Sequence, residues 1–133
     1  MARLRTRSSK GFTLIELMIV VSLILILLSI AVPAYNQSVL RAKESVLRQD
    51  LFQLRSLISQ YTLDKQKAPQ SLDDLVSAGY LKQLPRDPFT SAADWTADQE
   101  ESLMSVDQTE PGIDDVHSSS TLTSTDGTAY STW

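Results

Sequence analysis

The longest apolar stretch of the chain lies close to its N-terminus. From Leu17 to Leu40 there is no charged residue, and Leu17–Val32 is apolar apart from two serines. This stretch approaches the ~20 residues that a helix needs to cross a bilayer. It predicts a membrane-spanning helix, with the basic leader on the cytoplasmic side and the remainder of the chain outside.

Beyond this stretch the apolar pattern becomes periodic. Six apolar residues follow one another at spacings of 7, 4, 3, 4 and 3, which is the period of one helix face: Leu40, Leu47, Leu51, Leu54, Ile58 and Tyr61. No glycine lies between Phe12 and Gly79, and only Pro33 precedes Pro69. The pattern predicts one helix over about 12–64, apolar in its first half and amphipathic in its second. A kink is expected at Pro33, because proline removes one backbone donor.

A proline and a serine mark the end of this helix and the start of a shorter one. Pro69 closes the long helical segment. Ser71 is predicted to be the N-cap of a short helix whose first turn is acidic, where the helix dipole favours negative charge. The short helix is predicted to end at Ala78, before Gly79.

The C-terminal part has the pattern of a small antiparallel sheet. Strands are predicted over 102–107 and 113–119, joined by a five-residue turn. Serine and threonine dominate residues 118–125, which we predict to be a loop, and Asp126-Gly127 marks a final turn.

These elements together predict an α+β fold. A long N-terminal α-helix is expected to pack its amphipathic half on a small C-terminal domain with a short helix and an antiparallel β-hairpin. Tyr130 and Trp133 are expected to pin the end of the chain to the small sheet. The predicted regions are a basic leader (1–11), a hydrophobic transmembrane and assembly helix (12–35), its amphipathic half (36–64) and a small globular domain (65–133).

The charge of the chain changes sign after residue 11. The first eleven residues hold four Lys+Arg and no acid, whereas the rest holds eight Lys+Arg against 16 Asp+Glu. A basic leader before an acidic body is typical of a targeting signal followed by a soluble part. The acidic body argues against nucleic-acid binding, because it repels phosphates.

No residue pattern indicates catalysis. The chain has no cysteine, which excludes disulfides and thiolate metal sites, and it has one histidine and no glycine-rich phosphate loop. His117 has no partner signature. Asp73-Asp74 is better explained by the first turn of the short helix than by paired catalytic carboxylates. We therefore expect a protein that is not an enzyme.

Two interpretations of the N-terminal segment follow from its residues alone. Ser29-Ile-Ala31 fits the small-x-small cleavage site of an ordinary signal peptide, which would release a soluble binding module. An uncleaved anchor would instead keep Glu16 at the cytoplasmic interface. The apolar stretch exceeds the ~7–15 residues of an ordinary signal, and cleavage at Ala31 would divide a continuous helix.

A third interpretation comes from resemblance. The residues Gly11-Phe-Thr-Leu-Ile-Glu16-Leu, behind a basic leader and before an apolar helix, resemble the class III signal of type IV prepilins and type II secretion pseudopilins. The resemblance implies that a prepilin peptidase cuts between Gly11 and Phe12 and that Phe12 is then N-methylated. Pro33 lies where the family often has a helix-bending proline.

The resemblance also implies a role for Glu16, the fifth residue after the cut. In the family this carboxylate is proposed to pair with the N-terminal amine of a neighbouring subunit during assembly. A buried carboxylate needs such a partner, because desolvation costs several kcal/mol. Within a helix, Phe12 and Glu16 would share a face. We therefore expect each subunit to pair its own amine and carboxylate before it exchanges that bond for an intersubunit one.

The function implied by the resemblance is structural. The missing cysteines and the small domain resemble the major pseudopilin of type II secretion more than a type IV pilin. A type IV pilin, the subunit of an adhesion or motility fibre, remains the alternative. The implied partners are further copies in a helical homopolymer, the prepilin peptidase, the inner-membrane assembly platform, minor pseudopilins and the lipid bilayer. The implied location is the bacterial inner membrane, single-pass with a periplasmic domain, and then a periplasmic or surface filament.

Acidic residues near the C-terminus raise the question of a metal site. Major pseudopilins often bind calcium in a C-terminal loop, and calcium prefers several oxygen ligands. Asp114, Asp115, Ser118 and Asp126 are the candidate ligands here. The glycine-rich acidic run of the family is replaced by Ser118–Thr125, so we expect no cofactor.

Overall fold

The structure is a computed structural model that describes residues 10–99 and 111–133. The chain divides into two compact units, Met1–Ser38 and Val39–Trp133, called here the first and the second unit. The elements are α1 (Leu14–Lys65), α2 (Asp73–Ser77), β1 (Thr96–Gln99), β2 (Ile113–His117) and a 3-10 helix (Tyr130–Thr132). This order confirms the predicted α+β, pilin-like fold.

The long helix α1 confirms the predicted continuous helix to within two residues at each end. Its N-terminus is capped by Thr13, whose side-chain oxygen accepts a hydrogen bond from the backbone N–H of Glu16 at 3.2 Å. Threonine followed three residues later by glutamate is the sequence of a capping box, which the sequence analysis overlooked. Pro33 lies inside α1; the kink expected there stays a prediction.

The described part of the first unit is an exposed apolar helix. Residues 10–38 are all exposed, and an 18-residue window of α1 has a mean hydropathy of 2.9 with none of it buried. Its two serines bond to the helix itself: Ser22 Oγ donates to Met18 O at 2.7 Å and Ser29 Oγ to Ile26 O at 2.6 Å. No polar side chain of the apolar run is therefore left without a partner, as a bilayer requires.

The core of the second unit is built on the periodic face of α1. The predicted positions from Leu47 to Tyr61 are buried, whereas Leu40 is only half-buried. Residues in or next to the short helix, the sheet and the chain end cover them: Leu72, Leu75, Trp95, Ile113, Val116 and Tyr130. The expected packing of the amphipathic half of α1 on its own C-terminal elements is confirmed.

Within the described residues the sheet has two antiparallel strands, with Thr96 opposite His117 and a register shift after Asp98. The strand predicted over 102–107 lies outside the described residues. In the structure, β2 pairs with Thr96–Gln99, a segment for which no strand was predicted. Four largely exposed residues carry too little alternation to indicate a strand, so only the pairing with β2 reveals it.

The short helix α2 is shorter than predicted, and its cap is different. Its N-cap is Leu72, which makes no side-chain cap hydrogen bond, so the prediction for Ser71 is wrong. Instead, the carboxylate of Asp74 accepts the backbone N–H of Gln70 at 2.8 Å and of Ser71 at 3.1 Å. An acid in the first turn therefore satisfies donors that precede the helix. The predicted stop is confirmed at Gly79, whose φ of 86° suits glycine.

The last residues are fixed by aromatic contacts, but these contacts are not with the small sheet to which we expected them to be pinned. Tyr130 is 1% exposed, and its ring stacks on Phe89 with centroids 3.9 Å apart. Trp133 packs edge-on against Tyr130 at 5.0 Å. The predicted turn at Asp126-Gly127 forms, with φ of 84° at the glycine and a hydrogen bond from its N–H to Ser124 O at 3.1 Å.

Candidate functional site

The residues of the predicted cleavage site lie at the exposed start of the first unit. Gly11, Phe12 and Thr13 precede the helix, and Phe12 is 79% exposed. Glu16 lies in the first turn of α1, also exposed. Because Phe12 lies two residues outside the helix, it does not share a helix face with Glu16 in this uncut chain. The Phe12 amine that would pair with Glu16 exists only after cleavage, so the expected self-pairing of these two residues stays a prediction.

The structure does not bring the four calcium candidates together as a ligand set, and three of them have other partners. Asp115 binds Arg55, Asp126 binds Arg48, and Ser118 donates to the buried Asp87. Asp114 is exposed on β2. Among residues 10–99 and 111–133, no three His, Cys, Asp or Glu side chains are arranged to hold a metal ion.

A buried carboxylate that the sequence analysis overlooked joins α1 to the C-terminal loop. Glu44 is 5% exposed and accepts three hydrogen bonds, two from Thr125 in that loop and one from Tyr130 in the 3-10 helix that follows it. The backbone N–H and the hydroxyl of Thr125 each donate to it at 2.7 Å, and the hydroxyl of Tyr130 donates at 2.8 Å. Hydrogen bonds to a charged group are the stronger kind, so Glu44 fixes the loop on the helix.

The environment of Glu44 shifts two pKa values. Burial alone would raise the pKa of Glu44, but the hydrogen bonds from Thr125 and Tyr130, together with the charge of Arg48, bring it below its ordinary value. Burial, and then the hydrogen bond to Glu44 and its negative charge, raise the pKa of Tyr130 to about 12. The carboxylate therefore stays ionised and the phenol stays protonated at neutral pH.

A second polar cluster holds the end of the chain to β2. Arg55 lies 2.5 Å from the carboxylate of Asp115 and donates to Trp133 O at 2.8 Å and to Val116 O at 2.9 Å. His117 Nε2 lies 3.0 Å from Asp98, and His117 Nδ1 contacts Trp133 O. One arginine of α1 thus contacts both the sheet and the last residue.

Stability of the second unit is expected to fall at both ends of the pH scale. The pKa values of Glu44 and Asp115 are lower in the folded chain than in the unfolded chain, so the unfolded chain takes up protons first as pH falls. The stability that the two carboxylates contribute is therefore full above about pH 4.5 and is lost as pH falls further. Burial and the charge of Asp87 raise the pKa of Asp50. Protonation of Asp50 as pH falls therefore offsets part of this loss of stability. The raised pKa of Tyr130 adds stability that is lost as pH rises from 10 towards 12.

The measurement for this prediction is fluorescence of the two tryptophans, which both lie in the second unit. Urea midpoints at pH 3, 7 and 11 should be highest at pH 7. In Glu44→Gln the difference between pH 7 and pH 3 should shrink, because this side chain no longer titrates. An unchanged acid dependence in that variant would contradict the role given to Glu44.

Comparison with known families places the N-terminal residues in a recognised motif. Residues 6–32 match the family described as "Prokaryotic N-terminal methylation motif". The matched range contains Gly11, Phe12 and Glu16 and most of the exposed apolar helix.

Curated relatives extend the likeness into the second unit. The Type II secretion system core protein G of Aeromonas hydrophila is 31% identical over 102 residues, which is 65% of this chain and 71% of the relative. The protein of the same name from Klebsiella pneumoniae is 33% identical over 98 residues, 62% of this chain and 70% of the relative. Type IV major fimbrial protein FimA of Dichelobacter nodosus is 46% identical, but over 61 residues, 46% of this chain and 38% of the relative. No solved structure matches the chain.

Proposed function

Because this chain belongs to the family of Type II secretion system core protein G, we propose that it is a structural subunit of a pseudopilus, a pilus-like filament that drives protein secretion. The observation that carries the proposal is the apolar first half of α1, exposed on all sides in the single chain. Such a helix has no stable place in water, so outside the bilayer it requires other helices to cover it.

The subunit is first inserted in the inner membrane and then loses its leader. Cleavage between Gly11 and Phe12 fits the structure, because both residues are exposed and precede the helix, as a peptidase substrate should. The cut removes four cations, each of which would cost ~2.5–3.5 kcal/mol at the centre of a bilayer. Without them the helix can move along its own axis, and Phe12 supplies the new amine for methylation.

Assembly follows from the two kinds of surface on the chain. Stacking many copies with their apolar helices inward and their acidic second units outward covers the apolar surface. Contacts of this kind join different surfaces of successive subunits and do not close into a ring, which yields a filament. Bending at Pro33 would adapt α1 to this arrangement.

The proposal also assigns location and partners. The second unit is periplasmic and the N-terminus cytoplasmic before cleavage, as the basic leader favours. The prepilin peptidase, the inner-membrane assembly platform and minor pseudopilins are the protein partners, and the protein is not an enzyme. The alternative, a type IV pilin, is supported by the match to FimA, which covers less than half of this chain.

Deletion of the gene separates the two functions. We expect loss of a type II secretion subunit to retain exoproteins in the periplasm while surface fibres and twitching persist. A type IV pilin would show the reverse, with fibres lost and secretion normal. Overexpression of the wild-type chain should produce filaments visible by electron microscopy in the first case.

Glu16→Leu is expected to leave membrane insertion unchanged and to reduce filament incorporation by at least about tenfold. Without this carboxylate, the N-terminal amine of the neighbouring subunit is buried without a partner, which typically costs about 3–5 kcal/mol. Membrane fractionation and the yield of sheared filaments measure the two steps. Glu16→Asp, which keeps the charge, is the control, and it should lose less. Normal incorporation of the leucine variant would refute the pairing role.

A further inference from the structure

Two cations at the start of the second unit have no partner among the described residues. Arg41 and Lys43 are both exposed, and neither forms an ion pair with any residue that the structure describes. The acids close to this end are already engaged. Glu44 is buried and accepts hydrogen bonds from the C-terminal loop, and Asp126 binds Arg48. The charges of Arg41 and Lys43 are therefore available to a partner outside the described chain.

The charges of the second unit are unevenly distributed along the chain. Residues 39–49 carry three Lys+Arg and one acid, whereas residues 50–133 carry five Lys+Arg and 14 acids. The segment that directly follows the apolar run is therefore basic, and the rest of the unit is strongly acidic. An anionic surface would repel the second unit as a whole and attract only this segment.

The position of these cations along α1 matches the far surface of a bilayer. From Leu14 to Arg41 the helix rises ~40 Å at ~1.5 Å per residue, and a bilayer with its headgroup layers is ~40–45 Å thick. Tyr35 lies ~30 Å from Leu14 and is 70% exposed, and a tyrosine suits the boundary between hydrocarbon and headgroups. Side chains of a helix lean towards its N-terminus, so Arg41 and Lys43 reach back towards the bilayer.

The C-terminal loop lies at the same end of the second unit. Thr125 of this loop donates two hydrogen bonds of 2.7 Å to Glu44, the residue that follows Lys43 in α1. Leu122 of the same loop is 59% exposed. We call Arg41, Lys43 and Leu122 the basal surface. An exposed apolar side chain together with cations at one end of a domain is the composition that binds at a membrane interface.

We propose that the basal surface binds anionic phospholipid headgroups of the outer leaflet of the inner membrane before the subunit enters a filament. The inference rests on the proposed function, because it requires the inserted chain with its second unit in the periplasm. The guanidinium of Arg41 and the ammonium of Lys43 donate to lipid phosphates, and Leu122 lies among the headgroups. These contacts hold an otherwise acidic unit against an anionic surface. Entry into a filament breaks them, because the basal surface then leaves the bilayer.

Quenching by lipids with a nitroxide on the headgroup tests this contact. The chain has no cysteine, so Leu122→Cys accepts a single fluorophore. The labelled full chain is reconstituted in phosphatidylcholine vesicles with or without about a third of phosphatidylglycerol, and quenching should be at least about threefold stronger with the anionic lipid. Leu63→Cys is the matched control, because Leu63 is also apolar, is 71% exposed and lies ~30 Å beyond Arg41 along α1. Its label should be quenched weakly in both kinds of vesicle.

Removing the two cations tests their part in the contact. Arg41→Gln combined with Lys43→Gln should reduce quenching at position 122 in the anionic vesicles to the level seen in pure phosphatidylcholine. The matched control, Lys65→Gln combined with Lys67→Gln, removes the same charge from exposed positions at the other end of α1 and should leave the quenching unchanged. Salt at about 0.5 M should weaken quenching in the chain that keeps Arg41 and Lys43, because exposed charges are then screened.

The outcomes separate this inference from the proposed function. If the chain does not float with the vesicles or is extracted by carbonate, the membrane step of the proposed function is wrong, and the inference falls with it. If the chain is inserted, but position 122 is quenched no more than position 63, the headgroup contact is wrong and the function stands. Quenching that persists without the anionic lipid or without both cations also overturns the inference, because tethering by the apolar helix would then explain it. Tryptophan fluorescence confirms that each variant is folded.

Discussion

Replacing Glu44 by alanine is expected to lower the free energy of unfolding of the second unit by about 3 kcal/mol. The substitution leaves the buried hydroxyl of Tyr130 without its acceptor at 2.8 Å, and it removes both hydrogen bonds from Thr125. A buried donor without a partner costs about 1–3 kcal/mol, and hydrogen bonds to a charged group contribute more than neutral ones. The C-terminal loop should therefore detach from α1 before the core unfolds.

Urea unfolding of the full chain in detergent measures this effect, with fluorescence of Trp95 and Trp133 as the signal. Gln49→Ala is the control, because Gln49 is exposed on the same helix and its loss should change stability by less than about 0.5 kcal/mol. Tyr130→Phe combined with Glu44→Ala forms a double-mutant cycle and should show coupling of the two residues. Equal stability of Glu44→Ala and the control would disprove the role of this carboxylate.

Gly11→Val is expected to abolish cleavage of the leader and with it all filaments. A Cβ added at Gly11 would meet no atom of the described residues within 4 Å, apart from its chain neighbours, so the substitution does not disturb the packing of the second unit. The uncut chain keeps four cations on the cytoplasmic side of the bilayer, and they oppose movement of the helix into a filament. The predicted loss is complete, because no copy can leave the membrane.

Mass spectrometry of the mature N-terminus measures this cleavage, and a second variant decides between the two possible peptidases. The wild-type chain should begin with methylated Phe12. Ala31→Leu should still be cut in the same place, because it alters only the small-x-small site of an ordinary signal peptide. A mature chain that begins at Val32, and that disappears in Ala31→Leu but not in Gly11→Val, would overturn the proposed processing.

The sequence indicated that residue 44 faces the core, but it did not indicate what Glu44 binds. The apolar stripe of α1 skips from Leu40 to Leu47, and the missing position at spacings of four and three is residue 44. The gap in the pattern was the signal that this residue faces the core. Its partners, Thr125 and Tyr130, are more than 80 residues away along the chain. No local pattern indicates which donors would meet the carboxylate.

The predictions for the short strand and for the cap of the short helix failed for a related reason. The strand Thr96–Gln99 consists of largely exposed residues, and its only distinguishing feature is the hydrogen bonding to Ile113–His117. At the start of α2, either Ser71 or Asp74 could accept hydrogen bonds from backbone N–H groups, because both residue types have a suitable side-chain oxygen. In the structure Asp74 accepts them. Each of these choices is settled by neighbours in space.

The sequence by itself determined the long helix, its apolar and amphipathic halves and the family of the protein, because these depend on periodicity and on a short contiguous motif. The tertiary structure alone decided which polar groups are buried and what they bind. It placed Asp115 and Asp126 opposite arginines of α1 and seated the loop on Glu44. Hydrophobic periodicity is a local property that folding preserves, whereas the partners of a buried charge are chosen only when distant segments pack together.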